Sequence, residues 1–232
     1  MKCTFTAKSF AQVATLELEP NEKVMIEPST ALMWDQHITL EGKMNSNGKH
    51  GLKGVMSSLG RHFTSGESFF MTYAKADSQG GAISVAPASI GCIRQLICDD
   101  THQYRLNTGT FLASDGDVHY NMKRQELSKA ILGNTGGLFV METEGTGQLL
   151  ISGFGDILEL ELNDDSLVID NEHVLAWDRS LDYEVEIASG ALGFKTSEGL
   201  VNHFKGTGKI YIQTRNMEHF AETLPKHLSS DD

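Results

Sequence analysis

A four-residue block of the form Leu-x-Trp/Ser-Asp occurs three times, and it constrains the fold of this chain more than any other feature. The three blocks are residues 32–35, 112–115 and 175–178. An alternating stretch precedes each block, at 13–18, 93–98 and 157–162. A glycine-rich block follows each one, at 80–85, 145–151 and 206–212. Because the order is the same each time, we predict three diverged copies of one unit, at about 1–85, 86–151 and 152–215.

Alternation of apolar and polar residues predicts that these units are built from β-strands. Residues 183–187 alternate tyrosine, valine and isoleucine with glutamate, and residues 209–213 place a half-buried Tyr211 between two isoleucines. A period of two residues is typical of strands with one buried face. With 23 glycines and only 4 prolines to make the turns, the sequence predicts an all-β fold.

The three units are expected to form one domain. A few strands cannot cover their own apolar face, whereas three units can close around a shared core and remove most exposed strand edges. We therefore predict a single β-sandwich or barrel over residues 1–228, with a pseudo-threefold arrangement, followed by a disordered tail at 229–232.

A few segments depart from the strand pattern. Apolar residues at helical spacing predict short helices near 52–63 and 216–224, the second with Asn216 as its N-cap. Residues 122–132 are compatible with a third short helix.

The first of these helices lies in a basic stretch at residues 42–65. No acidic residue occurs between Glu41 and Glu67, whereas four lysines or arginines do. One interpretation is a helix that faces a protein partner or a membrane surface with basic flanks. The other is a lid helix that covers one open end of the β core. The residues that would form the partner surface are Leu52, Lys53, Met56 and Arg61.

Charge and cysteine content exclude several classes of protein. The net charge of −12 opposes binding to polyanions, so nucleic acid is not an expected partner. Three cysteines without a C-x-x-C pair indicate free thiols in a reducing compartment. The N-terminal residues do not resemble a signal peptide, and no apolar run is long enough to span a bilayer. We therefore expect a cytoplasmic protein.

The repeated aspartates Asp35, Asp115 and Asp178 are candidate metal ligands. Threefold repetition could bring three carboxylates together near a pseudo-axis, where they would bind a hard cation. Alternatively, each aspartate ends a strand and accepts hydrogen bonds from the backbone of its own turn, which is the interpretation we favour.

Other apparent motifs predict no chemistry. The pairs Gly145/Gly147 and Gly206/Gly208 are each followed by a strand, whereas a phosphate cradle needs a helix there. We therefore predict hairpin turns at both pairs. The nine histidines form no H-x-H or H-E-x-x-H motif, and no G-x-S-x-G motif occurs. We assign no catalytic residue and no cofactor.

Several blocks together resemble a widespread family. They are residues 66–70, 86–87, 111–113, 168–177, 198–201 and 206–214. The resemblance is to the altered-inheritance-of-mitochondria family, over nearly the whole chain. It implies a fold like that of the tryptophan RNA-binding attenuation protein, with pseudo-threefold β units. Mitochondrial members are linked to inner-membrane organisation, whereas bacterial members, which this chain is similar to, have no settled activity. The family brings no established catalytic residues.

Three functions follow as hypotheses from the sequence. The first is a non-enzymatic scaffold or binding protein that assembles into a homo-oligomer. The second is a sensor or regulator that binds a small ligand, by analogy with the attenuation protein. The third is an enzyme or cation-binding protein with its site at the repeated aspartates.

Overall fold

Strands make up nearly all the regular structure in the computed structural model of the protein, which describes residues 1–6, 11–45, 69–124, 139–188 and 199–223. The strands are β1 (Lys2–Phe5), β2 (Ala14–Leu18), β3 (Lys23–Ile26), β4 (Ala31–Trp34), β5 (Ile38–Asn45), β6 (Phe69–Ala76), β7 (Gly81–Val85), β8 (Gly91–Cys98), β9 (Tyr104–Asn107), β10 (Phe111–Ser114), β11 (His119–Arg124), β12 (Phe139–Glu144), β13 (Gly147–Phe154), β14 (Ile157–Asp170), β15 (Val174–Asp178), β16 (Asp182–Ile187) and β17 (Leu200–Gln213). The prediction of an all-β fold is confirmed.

Strands β2 to β7, which we call the first set, pair in two antiparallel halves. In one half β7 lies between β2 and β4, and in the other β6 lies between β5 and β3. The second set, β8 to β13, has the same order. There β13 lies between β8 and β10, and β12 lies between β11 and β9.

The third set, β14 to β17, reaches the same order with fewer and longer strands. Residues 157–162 of β14 pair with 208–213 of β17, and residues 165–170 pair with 201–206. Each long strand therefore runs through both halves. Strand β15 pairs with β17 in the first half, and β16 pairs with β17 in the second.

The third strand of each set is irregular at the same place. The pairing register shifts between Ala31 and Met33 in β4, between Phe111 and Ala113 in β10, and between Val174 and Ala176 in β15. Such a bulge bends a strand and increases its local twist. The bend allows the strand to pair with its own set on one edge and to meet another set on the other.

Adjacent sets are joined by direct strand pairing. Strand β3 of the first set pairs antiparallel with β10 of the second, with Ile26 opposite Ala113. Strand β9 of the second set pairs with β15 of the third, with Leu106 opposite Ala176. The second strand of one set thus meets the third strand of the next. Both joins are continuous with the sheets on either side.

The hydrophobic core extends across the joins. Val24 and Ile26 of the first set share a hydrophobic cluster with Ile93, Leu112 and Leu150 of the second. Burial of these side chains is the main favourable contribution to folding, at about 1.5–3 kcal/mol for each fully buried aliphatic side chain.

Tyr211 differs from the half-buried residue predicted, because it is only 3% exposed. Strand β17 lies between β14 and β15, and both of its faces are covered. Tyr211 packs in one hydrophobic cluster, while its neighbour Ile210 packs in another on the opposite face. A strand covered on both sides cannot be recognised from alternation alone.

The two glycine pairs do not form the predicted hairpins. Gly145 follows β12 and precedes β13, but these strands pair with different partners, so the chain crosses there from one half of the set to the other. Gly206 and Gly208 lie inside β17 itself. The crossing requires glycine at position 145, because φ is 95° and a Cβ would lie 2.2 Å from the carbonyl oxygen of Asp117.

The predicted helices have different outcomes. Helix α1 (Met217–Thr223) matches the prediction near 216–224, and the side-chain Oδ1 of Asn216 accepts a hydrogen bond from the N–H of His219 at 3.1 Å, as an N-cap does. The prediction at 122–132 is wrong at its start, because Met122 pairs with Met141 within a sheet. The rest of that segment and the predicted helix at 52–63 lie outside the described residues.

Equivalent leucines test whether the joins carry the stability of the fold. Leu175 of β15 is 4% exposed, whereas Leu32, which precedes its aspartate by the same three residues, is 57% exposed. We expect Leu175→Ala to reduce the free energy of unfolding by about 2–5 kcal/mol, and Leu32→Ala by less than about 0.5 kcal/mol. Urea unfolding at a protein concentration where the chain is monomeric would measure both. Equal losses would contradict this account of the joins.

Candidate functional site

The repeated aspartates each hold a strand of their own set. Asp35 follows β4, and its Oδ2 accepts a hydrogen bond from the N–H of Ala82 in β7 at 2.7 Å. Its Oδ1 accepts from the N–H of His37 at 2.9 Å, inside the turn. The carboxylate thus connects the turn after the third strand to the beginning of the last strand of the set.

The other two aspartates make the equivalent contact. Asp115 accepts hydrogen bonds from the N–H and the side-chain amide of Gln148 in β13. Asp178 accepts from the N–H of Lys209 in β17 at 2.8 Å. Burial raises the pKa of the Asp178 carboxyl, and the hydrogen bond from Lys209 partly opposes that shift.

A glycine directly precedes each donating residue, and a side chain there would crowd the carboxylate: a Cβ at Gly81 would lie 2.9 Å from Oδ1 of Asp35, and one at Gly208 3.1 Å from Oδ2 of Asp178. A Cβ at Gly147 would lie 2.5 Å from Oδ1 of Asp115. The aspartate and the glycine therefore act together: the glycine lets the carboxylate come close enough to accept the backbone hydrogen bond of the next residue. In the described parts of the chain, no three His, Cys, Asp or Glu side chains come close enough to hold a metal ion. The structure does not bring the three aspartates into one site.

A surface that we did not predict lies on β4. Leu32, Met33 and Trp34 are 57%, 62% and 49% exposed. The corresponding residues of the other sets are buried: Leu112 and Ala113 in β10, and Leu175, Ala176 and Trp177 in β15, are all at most 4% exposed. We call Leu32, Met33 and Trp34 the β4 patch. Three consecutive large apolar side chains on one exposed strand are unusual for a surface without a partner.

Within the described part of the chain, β4 also has no equivalent of the second neighbouring strand that its counterparts have. Strands β10 and β15 pair on their outer edge with the second strand of the preceding set. Among the described strands, β4 pairs only with β7.

The opposite end of the three sets has a matching open edge. Residues 165–170 of β14 occupy the place of a second strand, and among the described strands they pair only with β17. Leu167 and Val168 on this segment are 38% and 53% exposed. The equivalent strands β3 and β9 are covered by β10 and β15. We call residues 165–170 the β14 edge.

A groove of about 1210 Å³ lies where helix α1 meets the sheet. Phe220 of α1 packs edge-on against Phe154, with ring centroids 5.2 Å apart, which fixes the helix as one wall. The arginine, histidine and aspartate side chains that line the groove are Arg94, Arg215, His173, His219 and Asp156. The Nδ1 of His173 donates to the carbonyl oxygen of Gln213 at 2.7 Å, which orients the ring.

None of the cysteines in the described residues is activated as a nucleophile. Burial raises the pKa of Cys3 and of Cys98 to about 11. Burial and the neighbouring Asp156 also raise the pKa of Cys92, which lines the groove. A thiol with a raised pKa is protonated near neutral pH and is a poor nucleophile.

The remaining predicted residues lie outside the described part of the chain. Leu52, Lys53, Met56 and Arg61, the predicted partner surface, fall in the segment 46–68. The described helices include none that is long and apolar enough to cross a membrane.

Substitution of Asp115 tests the structural role of the repeated aspartates. We expect Asp115→Ala to lower the free energy of unfolding by about 1–3 kcal/mol, because two donors of Gln148 lose their acceptor. Asp115→Asn should cost less, because its amide oxygen can accept one of these bonds. The exposed Asp117→Ala serves as the control and should change stability by less than about 0.5 kcal/mol. Unfolding in urea would measure all three, and an unchanged Asp115→Ala would contradict this role.

Comparison with known proteins shows the family of the chain. Residues 5–215 match a family model described as Mitochondrial biogenesis AIM24. An uncharacterised protein of Streptococcus pyogenes serotype M6 is 40% identical over 229 residues, which is 98% of this chain and 91% of that protein. The X-ray crystal structure of a Streptococcus pyogenes protein, a structural-genomics target, matches with a TM-score of 0.78 and 38% identity over 97% of this chain and 99% of that one. The chain therefore belongs to the AIM24 family.

Proposed function

We propose that this protein is a non-enzymatic scaffold that associates with copies of itself in the cytoplasm through the β4 patch. One observation carries the proposal: Leu32, Met33 and Trp34 are exposed on a strand whose counterparts in the other two sets are buried and paired with the preceding set. The β4 patch thus corresponds to the third-strand side of the two joins that the chain forms between its own sets.

Burial of the three patch side chains alone does not provide enough free energy for association. Burying the exposed half of each is worth on the order of 1 kcal/mol per residue, or roughly 3 kcal/mol for the patch. Loss of translational and rotational freedom on association costs about 4 kcal/mol or more. The hydrogen bonds of the open β4 edge and contacts around it must therefore contribute, which is typical of association by strand addition.

Other features support a scaffold rather than an enzyme or a nucleic-acid binder. The net charge of −12 opposes polyanions. None of the described cysteines Cys3, Cys92 and Cys98 forms a disulfide, and burial raises the pKa of each thiol, as suits a reducing compartment. We further propose that the three sets are diverged copies of one unit, with a fold like that of the tryptophan RNA-binding attenuation protein. The recurrence of one pairing order and of one bulge supports the triplication.

A charge on the β4 patch should weaken association without unfolding the chain. We expect Met33→Glu to raise the dissociation constant of the oligomer by at least about tenfold, or about 1.4 kcal/mol, because a carboxylate would be buried in the interface. The matched control is Ile97→Glu on β8, where the isoleucine is 51% exposed. Sedimentation velocity over a range of concentrations measures both variants. A wild-type chain that stays monomeric up to the highest concentration, or a control that dissociates equally, would overturn the proposal.

The groove beside α1 favours a second candidate function, the binding of a small anionic ligand. Its lining includes two arginines and two histidines but only one carboxylate, that of Asp156. The surrounding protein is strongly acidic, so this local excess of donors differs from the rest of the surface. Arginine and histidine are the side chains that suit carboxylate and phosphate groups.

A thermal-shift measurement tests this second candidate. Inorganic phosphate and succinate are the probes, and either one at about 100 times its dissociation constant should stabilise the fold by about 2.7 kcal/mol and raise Tm by several degrees. Arg215→Ala should remove the shift, whereas Arg179→Ala, outside the groove, should keep it. Flat curves with both probes would exclude this class of ligand.

A further inference from the structure

We infer that the partner of the β4 patch is the β14 edge of a second copy, so that the protein associates head to tail. The inference rests on the proposed self-association and adds its partner surface and register. It starts from the strand pairing within one chain. Twice, the second strand of one set pairs with the third strand of the next: β3 with β10, and β9 with β15.

Among the described strands, this pairing leaves one third strand and one second strand without a neighbouring set. β4 is the third strand of the first set, and no described set precedes it. Residues 165–170 of β14 are the second strand of the last set, and no described set follows. A second copy supplies each missing neighbour. Both ends carry exposed apolar side chains, whereas internal counterparts such as Met25, Tyr104 and Trp177 are buried.

The internal joins also predict the register of this contact. In the join between β9 and β15, Ala176 lies opposite Leu106 and Trp177 lies opposite Arg105. Met33 and Trp34 correspond to Ala176 and Trp177, because each pair directly precedes the repeated aspartate.

The β14 edge is aligned by its pairing with the neighbouring strand. Leu106 of β9 lies opposite Met141 in β12, and Ile169 of β14 lies opposite Asn202 in β17. Counted back from the equivalent glycines Gly145 and Gly206, Met141 and Asn202 hold the same position. Ile169 therefore corresponds to Leu106, and Val168 to Arg105.

The predicted contact places Met33 of one copy opposite Ile169 of the other, and Trp34 opposite Val168. Trp34 and Val168 are 49% and 53% exposed in the single chain, so both have surface to bury. An aromatic residue opposite a β-branched one is among the favourable cross-strand pairs, worth roughly 0.2–1 kcal/mol beyond an alanine pair. The register thus puts the most exposed aromatic of one end against the most exposed aliphatic of the other.

A head-to-tail contact determines the kind of assembly. The two surfaces are different, so an open row of copies always has a free β4 patch at one end and a free β14 edge at the other. The assembly therefore grows to a closed ring or an open filament. A symmetric pairing of two β4 patches would instead stop at a dimer.

Disulfide trapping with one introduced cysteine in each chain tests the inference. In a Cys3→Ser/Cys92→Ser background, Trp34→Cys and Val168→Cys are made in separate chains. Cys98 stays, because it is buried and its thiol pKa is about 11. Opposite residues of an antiparallel pair have Cα atoms about 4.5–5.5 Å apart, which a disulfide can span. After mixing and mild oxidation, we expect a disulfide-linked pair of one chain of each kind as the main product, at least about tenfold above either chain alone.

Matched variants make the result specific. Leu158→Cys provides the control, because Leu158 is on the same strand and 45% exposed but lies outside the β14 edge. Mixing it with Trp34→Cys should give only background. A Trp34→Cys chain that links mainly to itself would overturn the inference, and so would equal trapping by Leu158→Cys. If the chain oligomerises but the Trp34/Val168 pair does not form, the head-to-tail contact is wrong and self-association stands. A chain that never oligomerises overturns both.

Discussion

The structure depends on one repeated interaction, the antiparallel pairing of the second strand of one set with the third strand of the next. It occurs at β3–β10 and at β9–β15. Each join satisfies the backbone groups of two edge strands at once and buries the side chains around them. The hydrophobic clusters extend across these joins, so no set has a complete core by itself.

The device that makes each set suitable for joining is the aspartate after its third strand. In all three sets its carboxylate accepts a backbone N–H from the last strand. The contact holds the third strand beside the last one, and in β10 and β15 the outer edge of this bulged strand pairs with the preceding set. The acid that resembled a metal ligand in the sequence thus serves the same geometry three times, which accounts for its repetition.

The all-β class and several strands could be predicted from the sequence because their causes are local. Alternation located β16, and an asparagine before an apolar helical pattern located α1. The glycine pairs could not be assigned correctly, because whether a glycine closes a hairpin or carries the chain between sheets depends on distant pairing. The exposure of the β4 patch could not be predicted for the same reason. Leu32 and Leu175 occur in nearly identical local sequences, but among the described strands β15 has a second neighbour, β9, and β4 has none beyond β7. The groove beside α1 likewise combines residues from β8, the end of β13 and α1, which no local pattern connects.

Hydrogen–deuterium exchange of the unmodified chain at increasing concentration is the most direct measurement of whether the open ends of the three sets meet in another copy. The account predicts that peptides covering 31–35 and 165–170 become protected together as the chain associates, because strand pairing buries their amides. A peptide covering 93–98 in β8, which also has an open edge among the described strands, should exchange at the same rate throughout. Association with unchanged exchange at both ends, or protection at 31–35 alone, would contradict it.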